Sequence, residues 1–249
     1  MSIPLSVVPV VGLPEVTEGD RLGELVAGAT PLEPGDVLVI SQKVVSKAEG
    51  RVRRLAEVEP GSEARELASR LDKDPALVQA VLDESRSVIR AEQGVLITET
   101  NTGWICANAG IDASNVPEEG IVTLLPLDPD ASAQRIRSEI RRASGNAPAV
   151  VISDSFGRPW RLGQVDVAIG CAGLSPLEDW RGRPDRSGRE LTATLVALAD
   201  ELAAAADLVR DKDAGMPTAI VRGLGERVRG DDGPGAASIQ RPSNDDLFR

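Results

Sequence analysis

The sequence contains no histidine. That absence excludes Ser-His-Asp and Cys-His nucleophilic schemes, imidazole-ligated metals and the commonest general base. Catalysis here must rest on carboxylates, hydroxyls, lysine, arginine and bound metal, a set that suits phosphoryl transfer because that chemistry depends mainly on positioning and charge neutralisation. Cysteine is nearly as scarce. Cys106 and Cys171 both sit in apolar strand-like runs, and their spacing fits no zinc site, so buried free thiols are expected. No apolar run approaches the roughly 20 residues of a membrane span, and the opening MSIPLSVVPVVG lacks the basic region of a signal peptide. A cytoplasmic location is the default expectation. Basic residues are outnumbered 28 to 39, leaving a net charge of −11 that argues against a general nucleic-acid surface. Anionic small ligands stay open, because a metal ion and a few arginines can reverse the field inside one pocket.

What is present is an ordinary folded composition, 41% hydrophobic and 27% charged over 249 residues. A chain of this length buries about 70–75% of its unfolded surface, enough for one large domain. No repeat or linker compels a cut, although the polar stretch at 173–189 could mark a subdomain edge. The expected unit is 1–249 as a single body of mixed α/β type with a sheet-based core.

The most informative stretch is 149–173. Ala149 to Ile152 read as a buried strand delivering Ser153, Asp154 and Ser155 at its end, and a second apolar run from Val165 to Cys171 leaves a turn rich in Gly, Arg and Pro. Asp154 and Ser155 are hard oxygen ligands suited to Mg²⁺ or Mn²⁺. Arg158 and Arg161 offer planar forks for phosphate or carboxylate. The same residues also read as a strand, a turn steadied by Asp154 and a second strand with solvated arginines.

Other stretches add chemistry. In SQKVVSKAEGR, Ser41 to Arg51, Lys43 or Lys47 could meet phosphate, though the segment is no P-loop and reads equally as an amphipathic connector. CANAGIDASN clusters Asn108, Asp112, Ser114 and Asn115 behind a strand, with Asp112 the anion; these residues also favour turns for their own hydrogen bonds. Glycines at 223, 225, 230, 233 and 235 enclose Asp231 and Asp232, a pattern that fits amides closing on phosphate or a flexible loop. Arg181, Arg183, Arg186 and Arg189 make a basic cluster around Trp180, the expected anchor of its loop. Periodicity predicts strands at 5–11, 36–41, 95–98, 103–106, 121–125 and 218–221. Helices are predicted at 22–26, 62–71, 74–84, after Asp128-Pro129-Asp130 through Arg142, and as one long helix from Glu190 to Arg210.

Taken together, GLPEVTEGD, VISQKVVSKAEGR, CANAGIDASN, VVISDSFGRPWRLGQVDVAIG and GDDGPGAASIQRP followed by DDLFR resemble, in order and over nearly the whole chain, the GTP-dependent coenzyme F420-0:γ-L-glutamyl ligase family. Ser155 stands where the family commonly has threonine, and Asp232 where it often has glutamate. The resemblance implies a homodimer with sheet strands shared across subunits. It implies that Asp112 and Asp154 hold one divalent ion, Mg²⁺ or Mn²⁺, and that Ser155 with Asp232 help hold a second, with K⁺ a candidate monovalent partner. It gives guanine-nucleotide contacts to Gly12, Leu13, Pro14, Glu15, Gln42, Lys47, Asn115 and the loop Gly230, Asp231, Asp232, Gly233, Pro234, Gly235, Ala236 and Ala237. The implied reaction joins L-glutamate to coenzyme F420-0 through an acyl phosphate, releasing GDP and phosphate, with Asp154, Lys47 and Arg158 as catalytic candidates. The flavin-binding reductase domain fused in some relatives is not expected. Two alternatives accompany this reading: a ligase of the same architecture acting on another acid and amine, and a non-catalytic metal- or nucleotide-binding dimer.

Overall fold

The computed structural model describes residues 4–113, 119–210 and 215–247. The chain opens with strand β1 (Ser6–Pro9), helix α1 (Leu22–Ala29), strand β2 (Val37–Ser41) and helix α2 (Gln42–Ala48). Strand β3 (Val52–Arg54), helices α3 (Ser62–Leu71) and α4 (Pro75–Asp83), and the meander β4 (Ser85–Glu92), β5 (Val95–Thr100) and β6 (Ile105–Ala107) follow. Then come β7 (Ile121–Thr123), α5 (Pro129–Ser144) and the long hairpin β8 (Ala149–Arg158) and β9 (Arg161–Ala172). A short pair, β10 (Glu178–Asp179) and β11 (Leu195–Val196), precedes α6 (Leu198–Asp207) and β12 (Thr218–Arg222). Among the described residues no helix is long and apolar enough to cross a membrane.

The main sheet has the order β1-β12-β2-β8-β9. Only β2 and β8 run parallel, and every other neighbour is antiparallel. Val37 to Ile40 and Ala149 to Ile152 are buried without a break, as strands covered on both faces must be. Each fully buried Leu38, Ile40 or Ile152 contributes about 1.5–3 kcal/mol by leaving water. Helices α5 and α6 lie on this sheet, with α1 packed on α5. A second, smaller core joins α3 and α4 to Leu96, Ala109, Ile111, Val122 and Leu124.

Local chemistry sets the helix ends. Asp74 accepts from the Ala76 amide at 2.7 Å with Pro75 in the first helical position, and Asp128 accepts from the Ala131 amide at 3.0 Å with Pro129 in the same place. Gly145 closes α5 with φ of 79°. Cys106 and Cys171 are free and buried, as their settings imply.

Three expectations need correction. The helix expected over 190–210 occupies Leu198–Asp207 alone. Leu191 and Leu195 continue its spacing, but Leu195 pairs with Asp179 across β10 and β11 instead; the β-branched Thr192 and Thr194 favour extended chain here. Strand β4 was not expected, because nearly all of it is exposed and it carries no period-two apolar signal. Finally, the Gly- and Arg-rich connection near 157–164 is a continuation of both strands, turning only at Pro159 and Trp160, where Trp160 has φ of 57°.

Candidate functional site

Because β2 and β8 are parallel and pair Ser41 with Ser153, both chains leave the sheet side by side. In sheets of this kind ligands gather beyond the carboxyl ends of the strands. Gln42 begins α2 at that edge while Asp154 continues β8. Lys43, one residue into the helix, sets its Nζ 2.7 Å from Asp112 Oδ2. Asp112 is delivered by a two-way backbone bridge with Thr123, at 3.1 and 2.9 Å. Asp112 and Asp154 are neighbours in charge, since each is felt by the same lysine.

Asp154 is partly buried, and its carboxyl is pushed up to about 7. Burial is the main cause; the Ser155 amide pulls it back, Asp166 and Asp112 raise it again, and Lys43 lowers it. Cys106 lies close enough to feel this acid. Burial first, then the Asp154 charge, push its thiol up to about 12, so it is protonated at neutral pH.

Strand alternation turns Ser153 and Ser155 to the other face from Asp154. There they meet Asp166, which sequence reading missed. Ser155 Oγ donates to Asp166 Oδ1 at 2.6 Å and Ser153 Oγ to Oδ2 at 2.9 Å, while the buried Arg210 guanidinium pairs with Asp166 and donates to Ser153 Oγ at 3.0 Å. The register explains the meeting: Ser155 stands opposite Asp166, but only after shifts at Ile152/Ser153 and Gly157/Arg158. Such bulges re-aim side chains near functional sites.

The amino-terminal contacts gather at the same edge. Lys47 Nζ lies 2.6 Å from Glu15 Oε1, which brings the Gly12 to Glu15 turn against α2, where Lys43 and Lys47 share a face. Gln42 is fully buried. Its Oε1 accepts from Ser46 Oγ at 2.9 Å, and its Nε2 has no partner among the described residues. Asn115, with Ser114, lies outside the described residues.

The remaining candidates sit elsewhere in the chain. Asp231 pairs with Arg229, and Asp232 accepts from the buried Arg137 at 2.8 Å while its carbonyl takes the Gly173 amide. Gly173 is six residues along from Val167, the partner of Asp154, about 20 Å of chain at about 3.3 Å per strand residue, so Asp232 is held beyond the far end of β9 from Asp154. The loop amides are also engaged: Ala236 and Ala237 donate to Asp130 at 2.6 and 3.1 Å. A Cβ at Gly233, whose φ is 73°, would stand 2.4 Å from the Leu174 carbonyl, so that glycine serves a close internal approach. Arg158 and Arg161 face each other at the exposed hairpin tip, where Arg158 donates to the Leu162 carbonyl at 2.8 Å. Trp180, expected to anchor its loop, is exposed; Arg183 stacks 5.1 Å from its ring, and the cleft there, about 350 Å³, is lined by none of Asp112, Asp154 or Asp166.

Among the described residues no three carboxylates or thiols already form a metal cage. The arrangement defines a protein of mixed α/β class that collects acids, lysines and a buried amide at the carboxyl edge of its parallel strands, equipment for handling anions with oxygen and ammonium groups. The chain belongs to the F420-0:gamma-glutamyl ligase family, which it matches over residues 11–223. It is 46% identical to a coenzyme F420:L-glutamate ligase of Methanothermobacter thermautotrophicus, with 98% of this chain and 99% of the relative covered. A protein of the same name from Archaeoglobus fulgidus is 44% identical over 98% and 96%, and one from Methanopyrus kandleri is 47% identical over 94% of each.

Proposed function

We propose that this chain ligates L-glutamate to coenzyme F420-0 through a γ-linked amide, using GTP. The observation that carries the reading is Asp154, a carboxyl raised toward neutrality at the end of the central strand, in a chain whose relatives bear the name of that ligase. The donors fit a hard divalent ion. Asp112 and Asp154 supply carboxylate oxygens that repel one another, and Lys43 holds the position of a cation against Asp112. A bound Mg²⁺ or Mn²⁺ at these acids supplies charge neutralisation for phosphate oxygens.

In the reaction a carboxylate oxygen of the acceptor attacks the γ-phosphorus of GTP and GDP leaves. The glutamate amine then attacks the acyl carbon, phosphate leaves, and the amine proton passes to a carboxylate or phosphate oxygen. Lys47, tethered by Glu15, offsets developing charge. A homodimer has a specific purpose under this reading: the 230–237 loop and the Arg158 tip lie away from Asp154 in their own chain, and a second copy is what would bring them to it. The exposed edge of β4, along a cleft of about 520 Å³, and the β8–β9 tip are the surfaces proposed to meet it.

Mass spectrometry of F420-0 incubated with the protein, GTP, Mn²⁺ and L-glutamate, with and without K⁺, tests the proposal. The expected products are heavier by whole glutamyl units, with GDP released in step. A folded protein that releases GDP only with another acid and amine, or binds nucleotide without turnover, would overturn it in favour of one of the two alternatives.

A further inference from the structure

Lys43 takes part in no step of the reaction above, yet its ammonium stands on an oxygen that the proposed ion needs. Nζ lies 2.7 Å from Asp112 Oδ2, and the same charge lowers the Asp154 carboxyl, so one lysine serves both acids. The two partners of this ion pair are held very differently. Asp112 is pinned through its backbone: its amide and carbonyl bridge Thr123 at 3.1 and 2.9 Å, Thr123 Oγ donates to the same carbonyl at 3.2 Å, and Ile111 beside it is buried in the smaller core. Lys43 reaches the acid on a flexible four-carbon stem, with its side chain 22% exposed and water available to hydrate the ammonium elsewhere. The acid therefore stays in place while the ammonium is free to swing out. A divalent ion sits about 2.0–2.6 Å from a carboxylate oxygen, and a lysine on that same oxygen would lie within a few ångströms of it, where like charges repel even after screening.

We propose that Lys43 and the divalent ion compete for Asp112, so that the ion binds by expelling the ammonium from Oδ2. The inference rests on the metal reading of Asp112 and Asp154 above and adds an exchange to it: a singly charged internal cation leaves as a doubly charged one arrives, and neither acid passes through an uncompensated stage. The exchange lowers the affinity of the site for the ion. Lys43 thereby sets that affinity without being a ligand, and its loss tightens binding.

Uptake of Mn²⁺ alone, followed by electron paramagnetic resonance in wild type, Lys43→Met, Lys43→Arg and Asp112→Asn, tests the exchange. Lys43→Met keeps the stem and drops the charge, so it should bind Mn²⁺ about 3–10-fold more tightly than wild type, a size set by an ion pair only partly shielded from water. Lys43→Arg keeps the charge and can grip a carboxylate with two donors, so it should not tighten uptake. Asp112→Asn should weaken it at least about 10-fold, since a ligand matters no less than the outer partners of one. The sign separates this account from a structural one, because a lysine that merely held the site together would weaken uptake when lost. If Lys43→Met does not fold, Lys43→Gln takes its place with the same expected sign. Equal or weaker uptake by the uncharged variant, or tightening by Lys43→Arg as well, would overturn the proposal. Tighter uptake in a chain whose wild type makes no glutamylated product would sink the ligase reading alone, and Asp112→Asn binding Mn²⁺ as wild type does would sink the metal reading and the exchange together.

Discussion

Asp154 and Asp166 stand on adjoining strands of one hairpin and meet opposite fates. Asp166 is saturated, with two hydroxyls and a buried guanidinium on its carboxylate. Asp154 is pushed up to about 7 by burial and by the charges of Asp166 and Asp112, with the Ser155 amide and Lys43 only partly offsetting them. The difference teaches how a single element serves two ends: one face of the strand pair is closed by internal partners, and the other keeps an acid whose charge still wants a cation.

The comparison can be broken at either acid. Asp154→Asn should lower glutamyl transfer by at least about 10³-fold, the loss expected when charge stabilisation is removed from a reacting site, while leaving the melting temperature unchanged or higher. Full activity in that variant would remove Asp154 from the chemistry. Asp166→Asn should do the reverse in stability, costing about 3–5 kcal/mol in urea unfolding, because Arg210 is left buried without its counter-charge. Equal stability of the two variants would erase the distinction.

A pH series sharpens it. In metal-free protein the folded Asp154 keeps its proton from its ordinary 3.8 up to about 7, whereas the unfolded chain has already released it. The folded state then binds more protons than the unfolded one, so stability falls as pH rises through that window, by at most about 1.4 kcal/mol per pH unit. Unfolding free energies measured across it should show this slope in wild type and lose it in Asp154→Asn. An identical slope in both would assign the effect to another group. The smallest effect belongs to the hairpin tip: Trp160 is 82% exposed, so Trp160→Ala should move stability by less than about 0.5 kcal/mol. A large loss in thermal unfolding would mean that something covers the tip.

The Asp154 side of this contrast was legible in the sequence and the Asp166 side was not, for physical reasons. Asp154 ends an unbroken apolar run, and a polar residue where a buried strand stops is conspicuous. Asp112 is conspicuous in the same way, among Asx residues after a strand. Asp166 sits inside VDVAIG, where alternation makes it look like the wet face of an ordinary strand. Two register shifts in the hairpin hide its pairing with Ser155 from any count outward from the turn. Arg210 was read into a long amphipathic helix that ends sooner, and its partner lies 44 residues earlier in the chain. The buried Arg137, which holds Asp232, escaped notice for a like reason: a charged residue in an amphipathic helix reads as its solvated face. The caps of α4 and α5, by contrast, are settled within four residues of sequence.

Anomalous diffraction from crystals soaked in Mn²⁺ and GDP tests the central contrast most directly. The account predicts a manganese peak in contact with the carboxylates of Asp154 and Asp112, with Asp166 still bonded to Arg210 and both serines. A peak coordinated by Asp166, or none at Asp154 in crystals that hold the nucleotide, would contradict it.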